Sequence, residues 1–132
     1  MSVDGKVGLK GLTYKGGSPM WSWVLHRISG IGLIVFVGLH VVASFFTHVV
    51  PSGGEMAIQI NAVYESWGGQ LFIYFCAIFH GLNGVRIAVT DFWPALLQYE
   101  RELIWLEWLT FIPLYGLAAY FIIRNALALA GG

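Results

Sequence analysis

The sequence predicts an all-α membrane protein with three transmembrane helices and a cytoplasmic N-terminus. Three observations lead there. Of 132 residues, 58% are hydrophobic and only 11% charged, against about 25% charged in a soluble domain. Three runs are long and charge-poor enough to cross a bilayer. Lysine and arginine gather in the segments on one side of those runs. Seven Lys and Arg balance seven Asp and Glu. That zero net charge argues against a nucleic-acid binder, which should be basic, and the high hydrophobicity argues against disorder.

Residues 1–20 read as a Gly- and Lys-rich polar tail carrying Lys6, Lys10 and Lys15. The tail has no apolar run followed by a small-residue cleavage site, so it does not read as a signal peptide. The remainder, 21–132, reads as one three-helix domain with spans at about 21–50, 66–91 and 103–130. Ile28 to Val50 carries no formal charge, and roughly 20 helical residues cross a hydrocarbon core of about 30 Å. Pro51-Ser52-Gly53-Gly54 ends this span, and residues 51–66 form the first loop. The second span contains one charge, Arg86, and closes at Asp91-Phe92-Trp93-Pro94. The third has Glu107 and Arg124 toward its ends and Pro113 within it, where a missing amide hydrogen should bend the helix. Continuous apolar runs, in place of alternating ten-residue segments, argue against a β-barrel.

Orientation follows from the short flanks. Lys6, Lys10, Lys15 and Arg27 precede the first span, Arg101 lies in the second loop, and the first loop has neither Lys nor Arg. The N-terminus and second loop are therefore expected inside. Trp21, Trp23, Trp93, Trp105 and Trp108 would mark the inner interface and Trp67 the outer one. Cys76, the single cysteine, sits in an apolar run and reads as a small buried hydrophobe.

Ionisable groups at membrane depth are costly and mark a site by default. His80 lies eleven residues before Asp91, roughly 16 Å of helix from the inner boundary. Ala77, Gly81, Gly84 and Ala88 form a low ridge beside it. Such a surface suits a flat macrocycle ligated by His80, or equally a closely packed helix that hydrogen-bonds to it. His26 and Arg27 open the first span, as snorkelling groups or as a site for propionates or another anion. His26, Gly30, His40 and Ser44 share one helical face. His40 reads as a second-haem ligand, a lining residue or a helix-pairing group. His48 reads as solvated near the outer interface. Arg86 has three readings: snorkelling, pairing with Asp91, or neutralising a propionate.

Two blocks then resemble a known family. Ser22-Trp23-Val24-Leu25-His26-Arg27-Ile28-Ser29-Gly30 resembles the Ser…His-Arg-x-Ser-Gly motif of the cytochrome b (C-type) membrane anchor subunit of succinate dehydrogenase. His80-x-x-x-Gly84-x-Arg86-x-x-x-x-Asp91-Phe92 resembles that family's haem-ligand helix. The blocks fall in the right order on the first two spans, and the likeness covers about residues 12–130. It implies a haem b with His80 as one axial ligand and a second anchor subunit supplying the other, the two chains together forming a larger helical bundle. It places His26 and Arg27 near the propionates and a menaquinone or ubiquinone pocket, with Gly84, Arg86 and His40 as further cofactor contacts. Several relatives bind quinone with a serine four residues before this arginine. Here that position is Trp23 and Ser22 stands one residue earlier, so these two share the expectation. The implied partners are an iron–sulfur subunit and an FAD flavoprotein, at the inner membrane of a bacterium. The implied role is electron transfer from succinate to quinone. A haem-free structural subunit, or a cytochrome b subunit of fumarate reductase or another respiratory complex, is the alternative.

Overall fold

A computed structural model describes residues 17–49 and 54–131, and among these the chain is helical with no strand. Helix α1 runs Gly17–Val49, α2 Gly54–Glu65, α3 Trp67–Phe92 and α4 Glu100–Ala130, with a 3-10 segment at Pro94–Tyr99. Three stretches are long and apolar enough to cross a membrane: Pro19–Val49, Trp67–Phe92 and Pro94–Ala130. The chain is a multi-pass, all-α membrane protein. Most of the expected tail, residues 1–16 with all three lysines, lies outside the described residues, as do 50–53 and 132.

The boundaries differ from the sequence reading in three places, one being that α4 begins at Glu100 and takes in Arg101, which the sequence reading put in the second loop. Helix α1 starts at Gly17, before the expected Trp21, because nothing in Pro19-Met20 forbids helix and proline is tolerated in a first turn. The first loop contains α2, a twelve-residue helix. Its mixed composition hid it: Ala57 is buried while Ile58 and Val63 are exposed, so no single apolar stripe announces it. The turn from α2 into α3 is tight. Ser66 caps α3 by accepting from the Gly69 amide at 3.1 Å. A Cβ on Gly69 would come within 2.4 Å of the Val63 carbonyl, so only glycine fits there. The third span continues the helix unbroken through Pro113.

Helix α3 is the centre of the bundle, packing on α1 along one side and on α4 along the other, while α1 and α4 meet less. The α3–α4 seam is aromatic. Phe75, Phe79, Trp108, Phe111 and Tyr115 place ring centroids 5.3–5.9 Å apart in chiefly edge-to-face arrangements. Trp108 is thus half-buried in the bundle, not an interface marker alone. The Tyr115 hydroxyl donates to the Leu71 carbonyl at 3.0 Å, tying α4 to α3. Fully buried apolar side chains are few: Ala43, Ala57, Cys76, Phe79, Ile104, Phe111 and Ile122. The expectation for Cys76 holds, at 1% exposure. Large apolar residues such as Ile34, Val41, Leu109 and Leu127 face outward, as a unit needs when lipid is its solvent.

Candidate functional site

Where α1 crosses α3, two helices meet with almost no bulk between them. A Cβ on Gly30 would lie 3.1 Å from His80 Cε1, so the glycine opens the space the imidazole occupies. One turn before Gly30 on α1, His26 reaches the other way and rests over Gly84 of α3. The His26 and His80 rings stack with centroids 4.0 Å apart and planes 6° from parallel. The two motif blocks of the sequence are therefore one structural cluster.

The hydrogen bonds decide which His80 nitrogen is free. Its Nδ1 lies 3.1 Å from the His26 carbonyl oxygen and 3.3 Å from Ser29 Oγ. The Ser29 hydroxyl spends its proton on that same carbonyl at 2.9 Å. A carbonyl only accepts, so Nδ1 carries the hydrogen and donates. The neutral ring then has its lone pair at Nε2. A backbone carbonyl holding Nδ1–H is the arrangement that orients a metal-binding histidine. His80 is half-buried, and Ala77, Gly81 and Ala88 beside it are exposed, leaving a shallow strip of small residues. A Cβ on Gly81 would meet nothing within 4 Å. Among the described residues there is no cluster of three or more His, Cys, Asp or Glu.

The other residues singled out from the sequence divide into two groups. Arg27 is exposed and lays its guanidinium 4.0 Å over the Trp23 ring, and Trp23 is itself exposed. Ser22 is buried at 1% exposure. His26 Nδ1 is buried without a hydrogen-bond partner. These four lie at the same end of α1 as the histidine stack. His40 does not join them. It sits 14 residues along α1, about 21 Å away, with its ring near Phe36 and Tyr64 of α2. His48 is exposed and donates from Nδ1 to the Ser44 carbonyl at 2.8 Å.

Arg86 pairs with Glu107 and Asn83, not with Asp91. Its Nε–H donates to Glu107 Oε2 at 2.8 Å and its NH2 group to Asn83 Oδ1 at 2.7 Å, while Glu100 lies 3.9 Å away. The Arg86 and Glu107 side chains are 11% and 2% exposed. Asn83 has no exposure. Glu107, read from sequence as a residue toward a span end, is the buried partner that sequence reasoning missed. Its signal was an acid within an apolar run, two turns inside a helix that carries Glu100 and Glu102 on its first turn. The partners of Ser29 and Asn83 were missed because small polar residues declare them only in three dimensions.

Residues 6–123 match the family described as the succinate dehydrogenase/fumarate reductase transmembrane subunit. The chain is also similar to the succinate dehydrogenase 2 membrane subunit SdhC of Mycobacterium tuberculosis. The two are 34% identical over 96 residues, which cover 70% of this chain and 68% of that protein. The fold, the paired motif blocks and these matches converge: the chain belongs to the family of succinate dehydrogenase/fumarate reductase transmembrane subunits.

Proposed function

We propose that this chain binds a haem b through His80 and helps form the quinone site of a succinate:quinone oxidoreductase, anchoring an iron–sulfur subunit and an FAD flavoprotein to a bacterial inner membrane. One observation carries the reading. His80 has its Nδ1–H held by the His26 carbonyl, its Nε2 lone pair free, and an open strip of small residues alongside. A histidine that served only to pack helices would not need its second nitrogen kept free.

The donor set fits the group. His80 would hold the iron through its free nitrogen, with a second histidine expected from a partner anchor subunit, and a haem held by two imidazoles would suit electron transfer over oxygen chemistry. When bound, the haem supplies a one-electron store beside the path to quinone. Gly30 gives His80 its room, while His26 rests at ordinary contact distance over Gly84. His26 Nδ1, buried and unpartnered, is available to a propionate or to a quinone carbonyl.

Arg27 and Trp23 line the quinone pocket in this reading, because both are exposed at the right end of α1. The Arg27 charge stabilises the oxyanion that develops as quinone is reduced, and a low dielectric strengthens that interaction. Arg86 is left out of the propionate site because Glu107 and Asn83 hold it. His40, distant and set among aromatics, is left out of ligation. The inner side is the end with Arg27 and Arg101, following the positive-inside rule.

The complex purified with its partners should give a reduced-minus-oxidised b-type band and one haem per flavin by pyridine haemochrome. A haem-free complex that still reduces quinone with succinate would overturn the reading in favour of a structural subunit.

A further inference from the structure

We infer that Glu107 is a positioning residue of the redox site: by compensating Arg86 it sets the electron affinity of the haem at His80. The inference rests on the haem reading above and adds to it a residue on a different helix.

The starting point is a cost. Glu107 is buried and Arg86 largely so, and they line a mostly apolar groove of about 230 Å³ between α3 and α4 with Leu82, Val85 and Leu106. Burying two charges is expensive, and a well-packed apolar pair is often as stable or more so. The pair is also incompletely satisfied. Glu107 Oε1 and Asn83 Nδ2 are buried with no hydrogen-bond partner. Helix cohesion does not require such a group, since the aromatic seam already joins α3 to α4 through Phe111 and Tyr115.

Its location supplies a role. Asn83 lies three residues past His80 on α3, and Arg86 six, about 9 Å of helix rise from the imidazole. Asn83 accepts from Arg86, so the network ends one turn from the ligand. Groups this deep are weakly screened by solvent. A lone Arg86 cation there would favour the reduced haem, which carries one more electron. Glu107, 2.8 Å from Arg86 Nε, cancels most of that field and holds the guanidinium toward α4. A unit charge at about 10 Å and an effective dielectric constant near 20 changes a one-electron equilibrium on the order of ten-fold.

The test is an equilibrium redox titration of the haem, followed optically, in the whole detergent-purified complex. Glu107→Gln is expected to shift the equilibrium on the order of ten-fold toward the ferrous form. Arg86→Gln, titrated at alkaline pH where the unpaired Glu107 carboxyl is ionised, is expected to shift it the opposite way, and the double variant to return close to wild type. A purely structural pair would show no opposed shifts. If one single variant fails to assemble, the other is compared with the double variant, whose buried groups are both neutral. Haem at wild-type content with an unmoved equilibrium in the single variants, or with shifts of the same sign, overturns the inference alone. A wild-type complex without haem overturns the haem reading and this inference with it.

Discussion

The two sides of α3 are built by opposite rules. Toward α1 the contact is made by removing bulk: Gly30 admits His80, His26 rests over Gly84, and the polar bonds run to a backbone carbonyl. Toward α4 the contact is made by adding bulk, with four aromatic side chains interlocked around Phe111. In a bilayer there is little hydrophobic drive between helices, so packing and a few hydrogen bonds do the joining. The aromatic seam supplies that cohesion. The thin seam, relieved of it, is free to hold two imidazoles at a defined angle. One helix thus separates the seam that holds the bundle together from the seam that stacks two imidazoles.

Substitutions that add volume to the thin seam or remove it from the thick one should separate these tasks. The largest effect is expected from Gly30→Val. Its side chain would occupy the space of His80 Cε1, so haem content should fall to background while circular dichroism stays helical. Gly38→Val is the matched control. Nothing lies within 4 Å of a Cβ there, and haem content should be unchanged. Equal haem loss in both would mean that Gly30 acts through helix propensity and not through His80.

Phe111→Ala should act on the other side. Phe111 is 5% exposed at the centre of the seam, and such truncations cost about 3–5 kcal/mol. Unfolding of the detergent-solubilised complex should shift accordingly, while the haem band of the folded fraction keeps its position. A changed band would show that the two seams are coupled.

Smaller effects should follow from single contacts. Tyr115→Phe removes the bond to the Leu71 carbonyl and should cost about 0.6 kcal/mol, the scale of interhelical hydrogen bonds in bilayers. Trp23→Leu removes the ring beneath Arg27. The stack is worth about 0.5–1 kcal/mol at an exposed site. Its loss should raise the KM for quinone a few-fold with stability unchanged, and an unaltered KM would place the quinone pocket elsewhere.

How much of this was legible in the sequence depended on whether the signal was local. The three spans were legible because length and charge-free runs are one-dimensional properties. His80 was legible because an ionisable residue followed by Gly81 and Gly84 stands out in an apolar run. Helix α2 was not, because its buried residues, Ala57 chief among them, are small and its exposed face mixes Ile58 with Gln59. The fate of Arg86 was not legible either. Asp91 is nearer in sequence, yet the partner is Glu107, 21 residues away on another helix. Ser29 was visible as part of a motif, but its position beside His80 Nδ1 exists only once α1 and α3 cross.

The central claim is that His80, and not His40, carries the iron. The most direct measurement is the low-temperature reduced-minus-oxidised spectrum of the purified complex with His80→Ala and, separately, His40→Ala. The account predicts loss of the b-type band in His80→Ala and a full band in His40→Ala, which alters a ring set between Phe36 and Tyr64. A b-type band that survives His80→Ala at wild-type intensity would contradict it.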